Sequence, residues 1–151
     1  MKTVRTSRDY EGTVAAAEAL WYDLARWPSF VDGFHHLDKQ EGDWPHPGAV
    51  LIWQSFPGGR GRVMERVTGY AAGDGLIAEV EDEQLVGTRR VRFSALEDGV
   101  RIDLSLAYEL KEAGTVKGLA DVFFIRRAMR DSLRRELARF GTELEADRDL
   151  R

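Results

Sequence analysis

From Lys117 to Asp147 the chain carries one long apolar stripe at helical spacing, and a helix of that length constrains everything that precedes it. Leu119, Val122, Met129, Leu133, Leu137, Phe140 and Leu144 fall on a single face. About 30 residues of helix span about 45 Å, so the stripe needs a broad apolar partner elsewhere in the chain. Arg126 sits within it. A cation on an apolar face is costly unless its stem reaches water or its head meets an anion. The helix therefore either closes an ordinary core or borders a pocket.

The partner is written in the middle of the chain. From Ala49 the pattern changes to a period of two, with strands expected at Ala49–Phe56, Arg62–Tyr70, Leu76–Leu85, Thr88–Leu96 and Val100–Leu110. The last is the clearest: Ile102, Leu104, Leu106, Tyr108 and Leu110 oppose Arg101, Asp103, Ser105, Ala107 and Glu109. Pro57-Gly58-Gly59-Arg60-Gly61, Gly73-Asp74-Gly75 and Asp98-Gly99 supply the turns. One wet and one apolar face mark an antiparallel sheet covered on one side.

Ahead of this run, Thr3–Ala15 reads as an opening strand and Ala15–Trp27 as a helix with Leu20, Leu24 and Trp27 on one face. Pro28 ends that helix and starts a short one through Phe30, Val31 and Phe34, while Gly42–Gly48 is a loop. Residues 112–118 are expected to form a second loop before the closing helix. The expected architecture is α+β and single-domain over residues 1–151. A curved antiparallel sheet of about seven strands wraps the long C-terminal helix, with two short helices after the first strand. A strongly twisted sheet leaves space beneath such a helix.

This order of elements resembles the START-like superfamily (SRPBCC; the polyketide cyclase/dehydrase and lipid transport family) and its helix-grip fold. The residues that carry the likeness are Leu20-Trp21-Tyr22-Asp23-Leu24-Ala25 followed by Trp27-Pro28-Ser29-Phe30, and the closing helix with Leu133, Leu137 and Phe140. The resemblance implies a cavity between sheet and helix that takes an apolar or aromatic small molecule. The family includes lipid carriers, plant hormone binders, coenzyme-Q-binding proteins and polyketide aromatase/cyclases, and fold alone does not choose among them.

Within that frame Arg126 is the candidate for holding a ligand carboxylate or enolate oxygen, with Arg130 toward the edge of the stripe. Otherwise Arg126 snorkels or pairs with an inward carboxylate. Glu65 is the candidate base, should it face inward with Val63 and Val67; with Met64 inward it is a solvated strand charge. The alternation leaves both open. Phe30, Phe34, Trp53, Phe93, Leu104, Tyr108, Val122 and Met129 are candidates for an apolar lining. Phe124 lies opposite Leu133 on the helix, an exposed position unless something covers it. The histidines, His35, His36 and His46, have no carboxylate at clear metal spacing, so no metal site is expected.

Composition excludes other classes. The chain has no cysteine, ruling out disulfides and thiolate chemistry. A net charge of -4 speaks against nucleic acid, and the arginines from Arg126 to Arg139 read as a solvated face offset by Glu136, Glu143, Glu145 and Asp147. No apolar run is long enough to span a bilayer, and Met1–Gly12 is polar, so a cytoplasmic protein is expected. Phosphate-loop, dinucleotide and zinc-protease motifs are missing. The reading is a protein that binds an apolar or aromatic, lipid- or polyketide-like molecule with no cofactor, a homodimer being compatible with it. One alternative is a cofactor-independent polyketide cyclase/dehydratase using Glu65 and Arg126. Another is a module presenting quinones or lipids to a membrane complex.

Overall fold

The computed structural model describes residues 1–111 and 119–150, the first three of the latter as backbone only. The expected loop over 112–118, the helix start at Lys117 and the side chain of Leu119 lie outside the described residues.

Seven strands form a single antiparallel sheet in the order β1-β7-β6-β5-β4-β3-β2. They are β1 (Lys2–Tyr10), β2 (Phe34–Glu41), β3 (Val50–Ser55), β4 (Arg62–Ala71), β5 (Gly75–Glu81), β6 (Leu85–Leu96) and β7 (Gly99–Leu110). Each strand after β2 folds back on its predecessor through a short connection, and β1 closes against β7, Val4 facing Leu106. The sheet curves around the long helix α3 (Leu119–Asp149), the helix-grip arrangement. Alternation marks Ala78, Val80, Val91, Phe93, Ile102, Leu104 and Tyr108 as inward and all are buried; on β4, where it left the face open, Val63 and Val67 are buried too.

Several segments depart from the expected boundaries, the strand expected from Thr88 beginning already at Leu85. The opening strand stops at Tyr10, because Thr13 accepts a hydrogen bond from the Ala16 amide at 3.1 Å and caps helix α1 (Val14–Trp21). The helix expected to run through Trp27 breaks after Trp21. Asp23 caps a 3-10 turn at Leu24–Arg26, and Pro28 falls in the first turn of helix α2 (Trp27–Phe30) rather than ending a helix. Phe34 is not helical. Val31 is extended and Gly33 takes φ +77°, a left-handed value that favours glycine, which swings the chain into β2. β2 is an edge strand with register shifts after Phe34 and Leu37 and a mostly polar sequence, so period-two alternation is broken there.

The stripe of α3 is fully buried over its second half only, with Ile125 and Met129 packed against the edge of the core ahead of it. Leu133, Leu137, Phe140 and Leu144 are buried, whereas Val122 and Met129 are half-buried. Phe140 is enclosed by Tyr10, Trp21 and Phe30 with ring centroids 5.1–5.7 Å away. Arg26 ties the same half down through Glu143 at 2.8 Å and Asp147 at 3.1 Å. Arg126 thus stands ahead of the buried stripe and is half-buried, not sunk in the core.

Candidate functional site

A cavity of about 410 Å³ lies where the first half of α3 passes over the β3–β4 and β5–β6 turns. Its apolar wall comes from Val80, Leu85, Leu106, Met129 and Leu133, with Phe56 beside it. Phe56 is 55% exposed and stacks on His35 at 4.7 Å, which places an aromatic pair at the mouth.

The polar wall is built from the β3–β4 and β5–β6 turns, the segment between α2 and β2, strand β6 and helix α3. Arg60 comes from the β3–β4 turn, where Gly58 (φ +84°) and Gly61 (φ +73°) take left-handed conformations. Its guanidinium carbon stands 5.2 Å over the Trp53 ring, and its Nε donates to Asp82 Oδ2 at 2.9 Å. Asp82 is buried because its other oxygen caps the β5–β6 turn, accepting from the Gln84 and Leu85 amides at 2.8 and 3.0 Å. The expected strand Leu76–Leu85 is therefore cut at this residue.

Arg89, on β6, is 14% exposed and forms an ion pair through Nη2 with Glu136 Oε2 of α3. Glu136 Oε2 is sealed from solvent, so Arg89 is its charge partner. Glu136 Oε1 accepts from the Asp32 amide at 3.1 Å. Burial pulls the Arg89 guanidinium below its ordinary value; Glu65 opposes this, Arg60 adds to it and Asp32 opposes it.

Asp32 completes the wall. Its carboxylate accepts from Ser132 Oγ at 2.7 Å, from Arg135 Nε and Nη2 at 3.1 and 3.0 Å, and from Arg139 Nη1 at 3.2 Å. Burial alone would raise this carboxyl, but the bonds from Arg135 and Ser132 and the charges of Arg135 and Arg139 hold it below its ordinary value.

Glu65 faces inward with Val63 and Val67, which settles the face that alternation left open. It accepts the Trp53 indole Nε1 at 2.7 Å and borders a void of about 10 Å³ with Trp21, Trp27 and Arg89, behind the large cavity and not on its wall. Of the candidate lining residues, Met129 is on that wall. Phe30, Phe34, Trp53, Phe93, Leu104 and Tyr108 are packed into the core. Tyr108 has a buried hydroxyl with no hydrogen-bond partner among the described residues; burial raises its pKa and the charge of Arg126 opposes the rise. Arg126 and Glu65 form no ion pair among the described residues, and Glu65 is instead engaged by Trp53. Val122, Arg126 and Arg130 are half-buried on α3 and off the cavity wall. Phe124 is 73% exposed beside Phe123 at 65%.

Sequence reading passed over Arg60, Arg89, Asp32, Asp82 and Glu136, although two carried a signal. Arg89 shares the parity of Val91 and Phe93, the inward face of its strand. Glu136 falls three residues after Leu133 and four before Phe140, on the apolar stripe itself. His36 pairs with Asp38 at 2.8 Å on the exposed edge, and no group of three metal-binding side chains occurs among the described residues. No helix among them is long and apolar enough to cross a membrane.

A curved antiparallel sheet gripping one long helix, with a cavity held between them, defines the helix-grip class. The chain belongs to the polyketide cyclase / dehydrase and lipid transport family, whose model matches residues 1–145. No curated protein matches it. Among solved structures it is similar to a Rhizobium leguminosarum protein (TM-score 0.74, 15% identity, 96% of this chain and 95% of that one). It is similar to the di-domain ARO/CYC StfQ from the steffimycin biosynthetic pathway (TM-score 0.77, 14% identity, 97% of this chain), about half of whose length (51%) it spans. Truncated norcoclaurine synthase from Thalictrum flavum also shares the fold (TM-score 0.70, 12% identity, 95% of this chain and 92% of that one). At these identities the likeness is one of fold.

Proposed function

We propose that the chain acts as one ligand-binding domain that takes an apolar, aromatic or polyketide-like small molecule into the cavity beneath α3. The observation that carries this reading is the 410 Å³ space itself, which joins an apolar wall to a cluster of fixed charges. That volume is in the range of small-molecule sites, about 300–1,000 Å³. Burial against Leu85, Leu106, Met129 and Leu133 would supply affinity, at about 25 cal/mol per Å² of apolar surface covered, and the guanidiniums would fix orientation. Family membership supports a ligand-binding or cyclase role.

A second reading, a cofactor-independent polyketide cyclase or dehydratase, draws on the inward setting of Glu65. Such chemistry needs a base and a cation at the developing enolate oxygen. Glu65 is engaged by Trp53 and set behind the cavity. Glu136 and Arg89 are a carboxylate and a cation on the cavity wall itself, so these, with Glu65 and Arg126, are the positions to vary for turnover.

Native mass spectrometry of protein purified from its own host tests the binding reading. A retained small molecule is expected, and Leu106→Trp, which fills the cavity, should remove it. Protein that carries nothing, and takes up no aromatic probe added at millimolar concentration, would refute it.

A further inference from the structure

The cavity wall holds both signs of charge in near balance, so net charge does not tell what it recognises. Hydrogen-bonding capacity does. A carboxylate has about four acceptor sites and a guanidinium five N–H donors. On this wall the acceptors are occupied from within the protein. Asp32 takes four donors from Ser132, Arg135 and Arg139. Asp82 takes two backbone amides and Arg60 Nε, and Glu136 takes the Asp32 amide and faces Arg89. Ser55 Oγ accepts from the Gly61 amide and donates to the Phe56 carbonyl, leaving little for a visitor. Gln84, exposed at the rim, offers donors and acceptors alike.

The donors are not matched in the same way. Arg60 is anchored by its Nε and by the Trp53 face, so both of its Nη groups are without a described hydrogen bond. Arg89 is paired with Glu136 through Nη2, which leaves its Nε and Nη1 groups without a hydrogen bond to a described residue. Both border the cavity. Arg89 is also held away from bulk water, where the N–H groups left over from its pairing with Glu136 are costly and an oxygen brought by a ligand offsets that cost.

From this donor excess we infer that the site selects a ligand whose polar end is an acceptor: a carboxylate, phenolate, enolate or run of carbonyl oxygens on an aromatic or apolar body. It rejects amines and other cations. Arg60 and Arg89 are the specificity-determining residues, with Asp82 positioning Arg60. The inference rests on the cavity being a ligand site and adds what that ligand must carry.

Calorimetric titration with three probes of one shape tests it: 3-hydroxy-2-naphthoate, its methyl ester and 2-naphthylmethylamine. The carboxylate should bind about tenfold or more tighter than the ester, one tenfold step being about 1.4 kcal/mol, with the amine weaker still. Arg60→Met, on a partly exposed turn, should bring carboxylate and ester within about threefold, and Arg89→Met should do the same. Should Arg89→Met fail to fold, Arg89→Met combined with Glu136→Leu removes the pair together. Equal binding of all three probes, an amine preference, or a carboxylate preference that survives both arginine variants overturns the selectivity while the cavity reading stands. Binding of none of the three overturns both.

Discussion

Trp53 Nε1 donates to Glu65 Oε2 at 2.7 Å inside the sheet, so a buried carboxylate and a buried indole satisfy each other. The face of that indole carries Arg60. One tryptophan therefore joins the core to the cavity wall, and a change at Glu65 should be felt in folding before it is felt in binding.

Glu65→Leu leaves the indole N–H without an acceptor and takes away the anion that opposes the desolvation of Arg89. It should destabilise by about 2–3 kcal/mol. Glu65→Gln keeps an acceptor and should cost about 1 kcal/mol. Urea unfolding followed by tryptophan emission measures both. Equal losses would mean that the hydrogen bond is not what the carboxylate supplies.

Asp82 ties a turn to a binding residue. Asp82→Ala strips two amides and Arg60 of their acceptor and should cost about 2–4 kcal/mol. Asp82→Asn can still cap the turn through its Oδ1, so it should lose less stability while releasing Arg60. The Asn variant is then the informative one: near-native unfolding with naphthoate affinity lowered several-fold. A variant that binds as well as the parent shows that Arg60 does not need Asp82.

Asp32 sets a dependence on pH. Its folded-state pKa is held below the ordinary 3.8, with burial opposed by Arg135, Ser132 and Arg139. The unfolded chain therefore binds the proton more readily, and stability rises with pH through this window. The contribution is present above about pH 4 and fades as pH falls through the folded value. Asp32→Asn should be less stable than the parent at pH 6, and the gap should narrow toward pH 2.5. A gap that stays constant with pH would show that the charge of Asp32 is not its contribution.

The two halves of α3 should answer substitution differently. Phe140 is fully buried among three aromatic rings, and Phe140→Ala should cost about 3–5 kcal/mol. Phe124 is exposed, and Phe124→Ser should change stability by no more than about 0.5 kcal/mol. Thermal unfolding of the pair measures the contrast. A large loss at Phe124 would mean that it is covered in solution.

Alternation made the sheet legible because one face of each central strand is packed and the other wet; β7 reads correctly from Val100 to Leu110 for that reason. β2 was not legible. Its bulges break the period and its edge position removes the need for an apolar face. The candidate site was less legible than the fold. A helical stripe says which residues share a face but not where that face leaves the core: α3 is fully buried only from Leu133 onward, and Arg126 and Arg130 fall outside the cavity wall. Arg89 and Glu136 sit at inward parity in strand and helix. Charges at such positions look like errors of pattern until the space between them is seen.

The chain has three methionines, and they form a built-in reporter. Met129 borders the cavity, Met64 points outward from β4 with 37% exposure, and Met1 is exposed at the terminus. With methyl-labelled methionine, NMR during titration with 3-hydroxy-2-naphthoate should show the Met129 methyl signal moving saturably while those of Met64 and Met1 hold still. A Met129 signal unmoved at saturation, or movement confined to Met64, would contradict a ligand site beneath α3.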